Sequence, residues 1–168
     1  MLAKEEDRIL VVSRYALDYM QLGWGNWEYC QLRRWLNGSF LDETFSAEEQ
    51  ARILLSPVTA EKNPRFKISP GNDTEDWLFL LSISEVERYF ASAEARRCVP
   101  TDYAIACGAY TYDNHRVDGR AACWWWLRSP GDYAGTAACI SGGGVVSKGF
   151  RDDKHVAVRP ALWIEPGA

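Results

Sequence analysis

The chain has 168 residues, 47% of them hydrophobic, with eight tryptophans and a formal net charge of −4. This length and composition indicate a globular protein with one core, rather than a disordered segment or two full domains. The acidic balance excludes the positive surface that nucleic-acid binding requires, and no apolar run approaches the ~20 residues of a membrane-spanning helix.

Short helices and loops dominate the prediction for the first two-thirds of the chain. The runs 8–13 and 77–82 predict strands, and residues 63–74, rich in proline and glycine, predict a loop. Apolar spacing and capping signals predict helices at 27–36, 47–54, 85–90, 92–98 and 101–108. The expected helix signals are a stop at Asn37-Gly38 and capping boxes at Ser46–Glu49 and Ser84–Glu87.

The last third of the chain changes to strands and tight turns. Predicted strands cover residues 124–128, 136–140, 145–147 and 156–164. Helices followed by strands indicate the α+β class. The run Gly142-Gly143-Gly144 follows a predicted strand but does not open a helix, so it predicts a hairpin turn rather than a phosphate-binding loop.

Two apolar blocks frame this last third. Side chains alternate along a strand, so Trp124, Trp125 and Trp126 cannot all face one side, and we expect two of the three to be buried. The blocks are predicted to share one core made of Trp126, Leu127, Val158, Leu162 and Trp163. Arg128 and Arg159 lie within them, and we expect carbonyl or carboxylate partners for both, with an anion-binding pair as the alternative.

The same blocks carry a resemblance to a known family. The motifs WWWLRSPG, AACISGGGVVSKGF and VRPALWI resemble the C-terminal half of the bacterial DUF6273 domain, whose function is unknown. Upstream, CQLRRWLNGSFLDETFSAEEQARIL, NDTEDWLFLLSISEVERYF and ARRCVPTDYAIACGAY fit the same family in order. The resemblance implies a single C-type-lectin-like domain over residues 1–168. Some similar proteins resemble the variable proteins of diversity-generating retroelements, whose C-terminal segment is rewritten to change ligand specificity.

Residues 132–154 are the candidate variable, ligand-binding segment. In similar family members many of its chemically diverse positions are asparagine or another polar residue, and an adenine-rich template codon encodes asparagine before mutagenic copying. The candidate binding residues are Asp132, Tyr133, Ala134, Gly135, Thr136, Cys139, Ser141, Gly142, Gly143, Val145, Ser147, Lys148, Phe150, Arg151, Asp152 and Asp153. Most are expected on one exposed face, with Ala137, Ile140 and Val146 pointing inward. An ordinary solvated hairpin region is the alternative.

These observations predict a non-catalytic module that binds an unknown protein or glycan. Tyr133, Phe150 and Arg151 have the side-chain types that dominate binding energy in interfaces. The chain has two histidines, neither of them near a nucleophile-elbow motif, and its five cysteines show no C-x-x-C spacing. We therefore expect no catalytic residue, no metal and no cofactor.

Two other functions stay open at this point. One is an enzyme related to formylglycine-generating oxidases, with Cys123 and Cys139 as its candidate thiols. The other is a structural domain of a larger surface or phage assembly. The first residues lack the features of a signal peptide, which predicts a cytoplasmic location, or surface or virion display as part of a larger protein.

Overall fold

The structure is a computed structural model that describes residues 1–167. Its strands are β1 (Ala3–Lys4), β2 (Ile9–Val12), β3 (Asp18–Tyr19), β4 (Ile53–Leu54), β5 (Ser56–Val58), β6 (Thr74–Asp76), β7 (Thr111–Val117), β8 (Arg120–Cys123), β9 (Trp125–Pro130), β10 (Thr136–Ile140), β11 (Val146–Phe150), β12 (Ala157–Val158) and β13 (Ala161–Ile164). Its helices are α1 (Gln31–Trp35), α2 (Leu41–Thr44), α3 (Ala47–Gln50), α4 (Ile83–Tyr89), α5 (Ala93–Arg96) and α6 (Asp102–Cys107), with a π-helical turn at Leu36–Phe40.

The strands form two sheets and two separate hairpins. The four-stranded sheet has the order β1-β2-β13-β4, and the five-stranded sheet has the order β11-β10-β9-β12-β3. β5 pairs with β6, and β7 pairs with β8. Strand pairs are antiparallel except β12 with β9. Because β13 near the C-terminus pairs with β2 near the N-terminus, the two ends of the described chain are joined in one sheet.

The α+β class is confirmed, but strands are not confined to the last third. Residues 53–54 were predicted to end a helix; instead they form β4, and Ile53 becomes 96% buried by pairing beside β13. The predicted strand 156–164 is divided at Arg159-Pro160, where the chain passes from the five-stranded to the four-stranded sheet. Tertiary pairing therefore overrides local helical spacing at 53–54.

Residues Leu78–Leu81 of the segment 77–82 are buried, but the segment bends at residues 77 and 78 and does not form a strand ladder. Only one bridge joins it to a sheet, through Phe79 and Ala161, with N–H···O distances of 2.9 and 2.8 Å. The capping box that follows is Ser82 with Glu85, not the predicted Ser84 with Glu87. The helix begins earlier because Ser82 itself accepts from the backbone N–H of Glu85, at 3.2 Å.

The predicted stop at Asn37-Gly38 is wrong, since the chain continues through a kinked π-helical turn into α2. The Asn37 side chain explains why the turn is tolerated. Its amide donates to the Leu78 carbonyl at 2.8 Å, and its oxygen accepts from the backbone N–H groups of Trp77 and Leu78 at 2.7 and 3.1 Å. Asn37 thus supplies the hydrogen bonds that a strand would otherwise give to residues 77–78.

The core contains most of the residues predicted for it. Trp125 and Trp126 are wholly buried and Trp124 is half-buried, as expected for the three tryptophans. The indole of Trp126 donates to the Met20 carbonyl at 3.0 Å. Leu127, Val158 and Trp163 are also buried, whereas Leu162 is only partly buried. Among residues 1–167, no helix has the length and apolarity to cross a bilayer.

Arg128 and Arg159 have the structural partners that were expected for them. Arg128 forms a two-point ion pair with Glu85, one of whose N–H···O distances is 2.9 Å, and donates to the Leu80 carbonyl at 2.7 Å. Arg159 donates to the Ser13 carbonyl at 2.9 Å, and its guanidinium lies 4.9 Å from the centre of a Trp125 ring. Both charges are therefore compensated inside the protein.

Candidate ligand-binding face

Burial divides the candidate segment 132–154 into two groups. The exposed candidates are Tyr133, Ala134, Val145, Lys148, Phe150 and Asp152. The half-buried ones are Asp132, Gly135, Ser141, Gly143, Ser147 and Asp153. The buried ones are Thr136, Cys139, Gly142 and Arg151. Most of the sixteen were expected to be exposed, but only six are, and the expectation is wrong outright for the buried group. Ala137 and Ile140 point inward as expected, while Val146 is only half-buried.

Arg151, expected to be exposed for ligand contact, instead ties two loops together. Only 7% of its surface is exposed. Its guanidinium donates to the carbonyls of Ala134, at 3.1 Å, and of Gly25, and its own carbonyl accepts from the Gly23 N–H at 3.0 Å. Burial lowers the pKa of this arginine. Since its donors are directed at backbone carbonyls, Arg151 holds the loop 23–25 against the segment.

Thr136 holds the turn that precedes β10. Its hydroxyl accepts from the backbone N–H groups of Asp132 and Tyr133, at 3.1 and 3.3 Å, and lies 2.9 Å from the Asp132 carboxylate, to which it donates. A Cβ placed on Gly131 would lie 2.2 Å from this hydroxyl, so the turn requires glycine there. Burial of Thr136 thus has a structural cause.

The glycine run forms the hairpin turn that was predicted. The backbone carbonyl of Ser141 accepts from the Gly144 N–H at 2.8 Å, and the backbone N–H of Ser141 donates to the Val145 carbonyl at 2.9 Å. Gly144 has a φ of +84°, and a Cβ there would lie 1.7 Å from the Ala93 carbonyl oxygen. A Cβ on Gly142 would lie 3.3 Å from the Tyr112 side chain. Close approach of neighbouring chain segments accounts for glycine at 144, whereas at 142 an added Cβ would make only a tight contact.

An aromatic cleft of about 290 Å³ opens on the segment. The residues that line this aromatic cleft are Tyr112, Trp124, Tyr133, Thr136, Lys148, Gly149, Phe150, Asp153, His155 and Val156. The Tyr112 and Trp124 rings have centroids 5.9 Å apart and a tilt of 38°. On the segment itself, Tyr133 and Phe150 meet edge to face at 6.4 Å. The cleft thus lies between the β7–β8 hairpin and the candidate segment.

Two further cavities adjoin this cleft. One, of about 150 Å³, lies between the loop around Asn63 and β11, and it shares Lys148 with the aromatic cleft. The other, of about 170 Å³, lies beside Trp24 and shares Phe150. Asn63 fixes the first loop by donating to the Pro130 carbonyl at 2.9 Å. The three cavities thus adjoin one another in a row along the segment.

Two pairs of charged or titratable groups lie along this row. Lys148 forms an ion pair with Asp132, and its hydrogen bond lowers the pKa of the Asp132 carboxyl. Asp153 accepts from the backbone N–H of His155 at 2.8 Å and lies 3.0 Å from the imidazole Nδ1. Burial raises the pKa of Tyr112 above its ordinary value. The face therefore presents hydroxyl, amine and carboxylate groups without a large excess of either charge.

Several residues of this face lie outside the segment that the sequence singled out. Tyr112 comes from β7, His155 follows the segment, and Trp24, 80% exposed, comes from the N-terminal third. Tyr110 packs edge to face on His155 at 6.1 Å. The alternation of Tyr110 and Tyr112 is a strand signal that was available in the sequence, whereas nothing local relates Trp24 to Phe150.

The two thiols considered for an oxidase, Cys123 and Cys139, are wholly buried. Burial raises the pKa of Cys139. Cys123 shares a hydrogen bond with the thiol of Cys98, and this bond together with burial raises its pKa. Within residues 1–167, no group of three histidine, cysteine or acidic side chains is arranged to hold a metal ion. Neither thiol lines any of the three cavities on this face.

Comparison with known proteins identifies the family. The model of the family described as "Domain of unknown function (DUF6273)" matches residues 6–166. Searches of curated proteins and of solved structures give no match. Since the match spans nearly the whole chain, the protein belongs to the DUF6273 family.

Proposed function

We propose that this domain is a non-catalytic ligand-binding module whose binding face is the row of three cavities along residues 132–154. The observation that carries the proposal is that neighbouring cavities share Lys148 and Phe150, so four of the six exposed side chains of the segment line adjoining cavities, namely Tyr133, Lys148, Phe150 and Asp152. Concave sites with aromatic walls and a few polar groups are typical of ligand binding. The expected partner is a protein or a glycan.

The backbone beneath this face is well held, which favours recognition by a preformed surface. β10 is buried along its whole length and lies between β9 and β11. The turns on either side of β10 are fixed by Thr136 and by the close packing of Gly144. A rigid frame lowers the entropy that is lost when a ligand binds. Exposed side chains on such a frame are free to differ in chemistry without loss of the fold.

In finer detail, we propose a C-type-lectin-like fold and a role as the variable protein of a diversity-generating retroelement. The motifs shared with similar proteins support both, and the exposed members of the segment are suited to variation. The buried members of the segment limit this variation, because each of them contributes to packing or to a turn. They are Thr136, Cys139, Gly142 and Arg151. A reverse-transcriptase gene beside a near-repeat of the coding region for residues 124–163 is the expected genomic context.

Two matched libraries test the proposal. The first randomises the exposed positions Tyr133, Val145, Lys148, Phe150 and Asp152, and the second randomises the buried positions Thr136, Cys139, Gly142 and Arg151. Both are displayed on yeast, and folded clones are counted by resistance to protease before selection for binding to defined protein and glycan targets.

We expect most clones of the first library to stay folded and to yield binders, and most clones of the second to unfold. Loss of folding throughout the first library would show that the segment is part of the core. Folded clones without any binder, across a panel of unrelated targets, would contradict the ligand-binding proposal itself.

A further inference from the structure

We propose that the aromatic cleft binds a neutral carbohydrate. The inference rests on the proposed function and names the class of ligand for one part of the binding face. It is carried by the ring geometry of the cleft, by the polar groups between the rings and by the balance of charge.

Four aromatic side chains line the cleft. Tyr112 and Trp124 are both half-buried, and their rings are tilted by 38° to each other. Phe150, 60% exposed, and Tyr133, 45% exposed, are the more accessible pair. A pyranose ring has apolar C–H faces of about the size of these side chains. Aromatic rings of this kind provide apolar contact at a low cost in conformational entropy.

Polar groups lie between the rings, where the hydroxyl groups of a sugar need partners. Among the described contacts, the Asp153 oxygen Oδ1 accepts from His155, and Oδ2 has no protein partner. A carboxylate oxygen is a strong acceptor for a ligand hydroxyl. The Tyr112 and Tyr133 hydroxyls and Lys148 supply donors. Acceptors and donors thus line the same cleft as the aromatic rings, which suits a molecule that has both hydroxyl groups and apolar faces.

The charge of the cleft argues against ionic ligands. Lys148 is paired with Asp132, and Asp153 lies against His155. A quaternary ammonium group would be attracted by aromatic faces, but here it would share the cleft with the Lys148 amine. An anionic ligand would instead meet the Asp153 carboxylate. Neutral ligands avoid both conflicts.

The size of the cleft fits a small sugar. Its volume of about 290 Å³ lies at the lower limit of small-molecule sites. It therefore suits about one or two sugar rings, with a longer glycan continuing across Phe150 towards Trp24. A single ring of this size is expected to bind with a Kd on the order of 1 mM.

Saturation-transfer NMR on the intact chain tests the inference. The probes are neutral methyl pyranosides and their disaccharides, with methyl glucuronide and choline as charged comparisons. The variants are Phe150→Ala, which removes an outer ring, and Asp153→Asn, which keeps the size and the His155 contact but removes the charge. The control is Tyr103→Ala on α6, because Tyr103 is 64% exposed and does not line the cleft.

We expect at least one neutral sugar to bind, with affinity about tenfold lower in Phe150→Ala and about fivefold lower in Asp153→Asn, and unchanged in Tyr103→Ala. Thermal unfolding of the Phe150 variant should match the parent chain. Preferential binding of choline or glucuronide, or sugar binding that ignores both cleft substitutions, would overturn the inference. Absence of sugar binding while the exposed-position library yields protein binders would overturn it too, and would leave the proposed function standing.

Discussion

β10 and β11 are neighbouring strands of one hairpin, and they have opposite roles. Every residue of β10 is buried, whereas β11 has an exposed or half-buried side chain at each position except Gly149. The cause is position in the sheet, since β10 has a partner on both sides and β11 is the edge strand. The edge strand therefore carries the exposed side chains of this hairpin.

The same contrast holds for charged groups. Arg128 and Glu85 form an ion pair inside the scaffold, where the arginine side chain is 4% exposed. Lys148 and Asp132 form a pair on the binding face, where the lysine side chain is 53% exposed. Buried pairs fix the position of the elements that carry them, while exposed pairs contribute little to stability and remain available to ligands.

The largest expected difference in unfolding free energy is between a substitution of the buried Trp126 and one of the exposed Trp24. Trp126→Ala removes a wholly buried ring that packs beneath β10 and β11 and donates to Met20, so it should cost about 3–5 kcal/mol of unfolding free energy. Trp24→Ala, at an 80% exposed position, should change stability by less than about 0.5 kcal/mol. Urea unfolding measures both. Similar losses of unfolding free energy in the two variants would contradict the distinction between a buried core and an exposed binding face.

The next largest loss of stability is expected from a substitution in the turn that joins β10 to β11. Gly144→Ala introduces a Cβ that would lie 1.7 Å from the Ala93 carbonyl oxygen. Gly119→Ala is the control, because Gly119 also has a positive φ, +78°, but has no atom within 4 Å of the added Cβ. We expect about 1–2 kcal/mol for the control and about 3 kcal/mol or more for Gly144→Ala. Thermal unfolding that gave equal losses would show that backbone conformation alone requires glycine at 144.

A third comparison uses two residues paired across the hairpin, Thr136 on β10 and Phe150 on β11. Thr136→Val leaves the N–H groups of Asp132 and Tyr133 without their acceptor, and it should cost about 1–3 kcal/mol. Phe150→Ala should alter unfolding free energy by less than about 0.5 kcal/mol while weakening ligand binding. If the phenylalanine variant proved the less stable of the two, Phe150 would belong to the core.

The smallest effect concerns pH. The hydrogen bond from Lys148 lowers the pKa of Asp132 in the folded state, below the ordinary value of 3.8. The pair therefore stabilises the fold above the unfolded pKa, and its contribution is lost as the pH falls through the folded-state pKa. In chemical denaturation, the stability difference between the parent chain and Lys148→Met should shrink as the pH is lowered from 6 to 3. A difference that grew in acid would contradict the pairing.

Local signals in the sequence correctly predicted the elements that depend on neighbouring residues. Ser46 with Glu49 forms the expected capping box, Thr101 and Gly108 bound α6, and 136–140 is the strand that was predicted. These features are determined within a few residues of chain. Strand alternation predicted that the three tryptophans could not share one side, and the consecutive Trp125 and Trp126 are both buried.

Contacts between residues that are distant in the sequence determined the rest of the fold and of the candidate binding face. Ile53 belongs to a strand because β13 passes beside it, and Arg151 is buried because the loop at Gly23–Gly25 offers carbonyl partners. The sequence by itself determined the α+β class, the DUF6273 membership, the capped helices and the segment most worth examining. Only the tertiary structure decided which side chains of that segment face outward, and it brought Tyr112, Trp124 and His155 to the same cleft. The physical reason is that exposure and cavity shape depend on segments that meet in space, and these are distant along the chain.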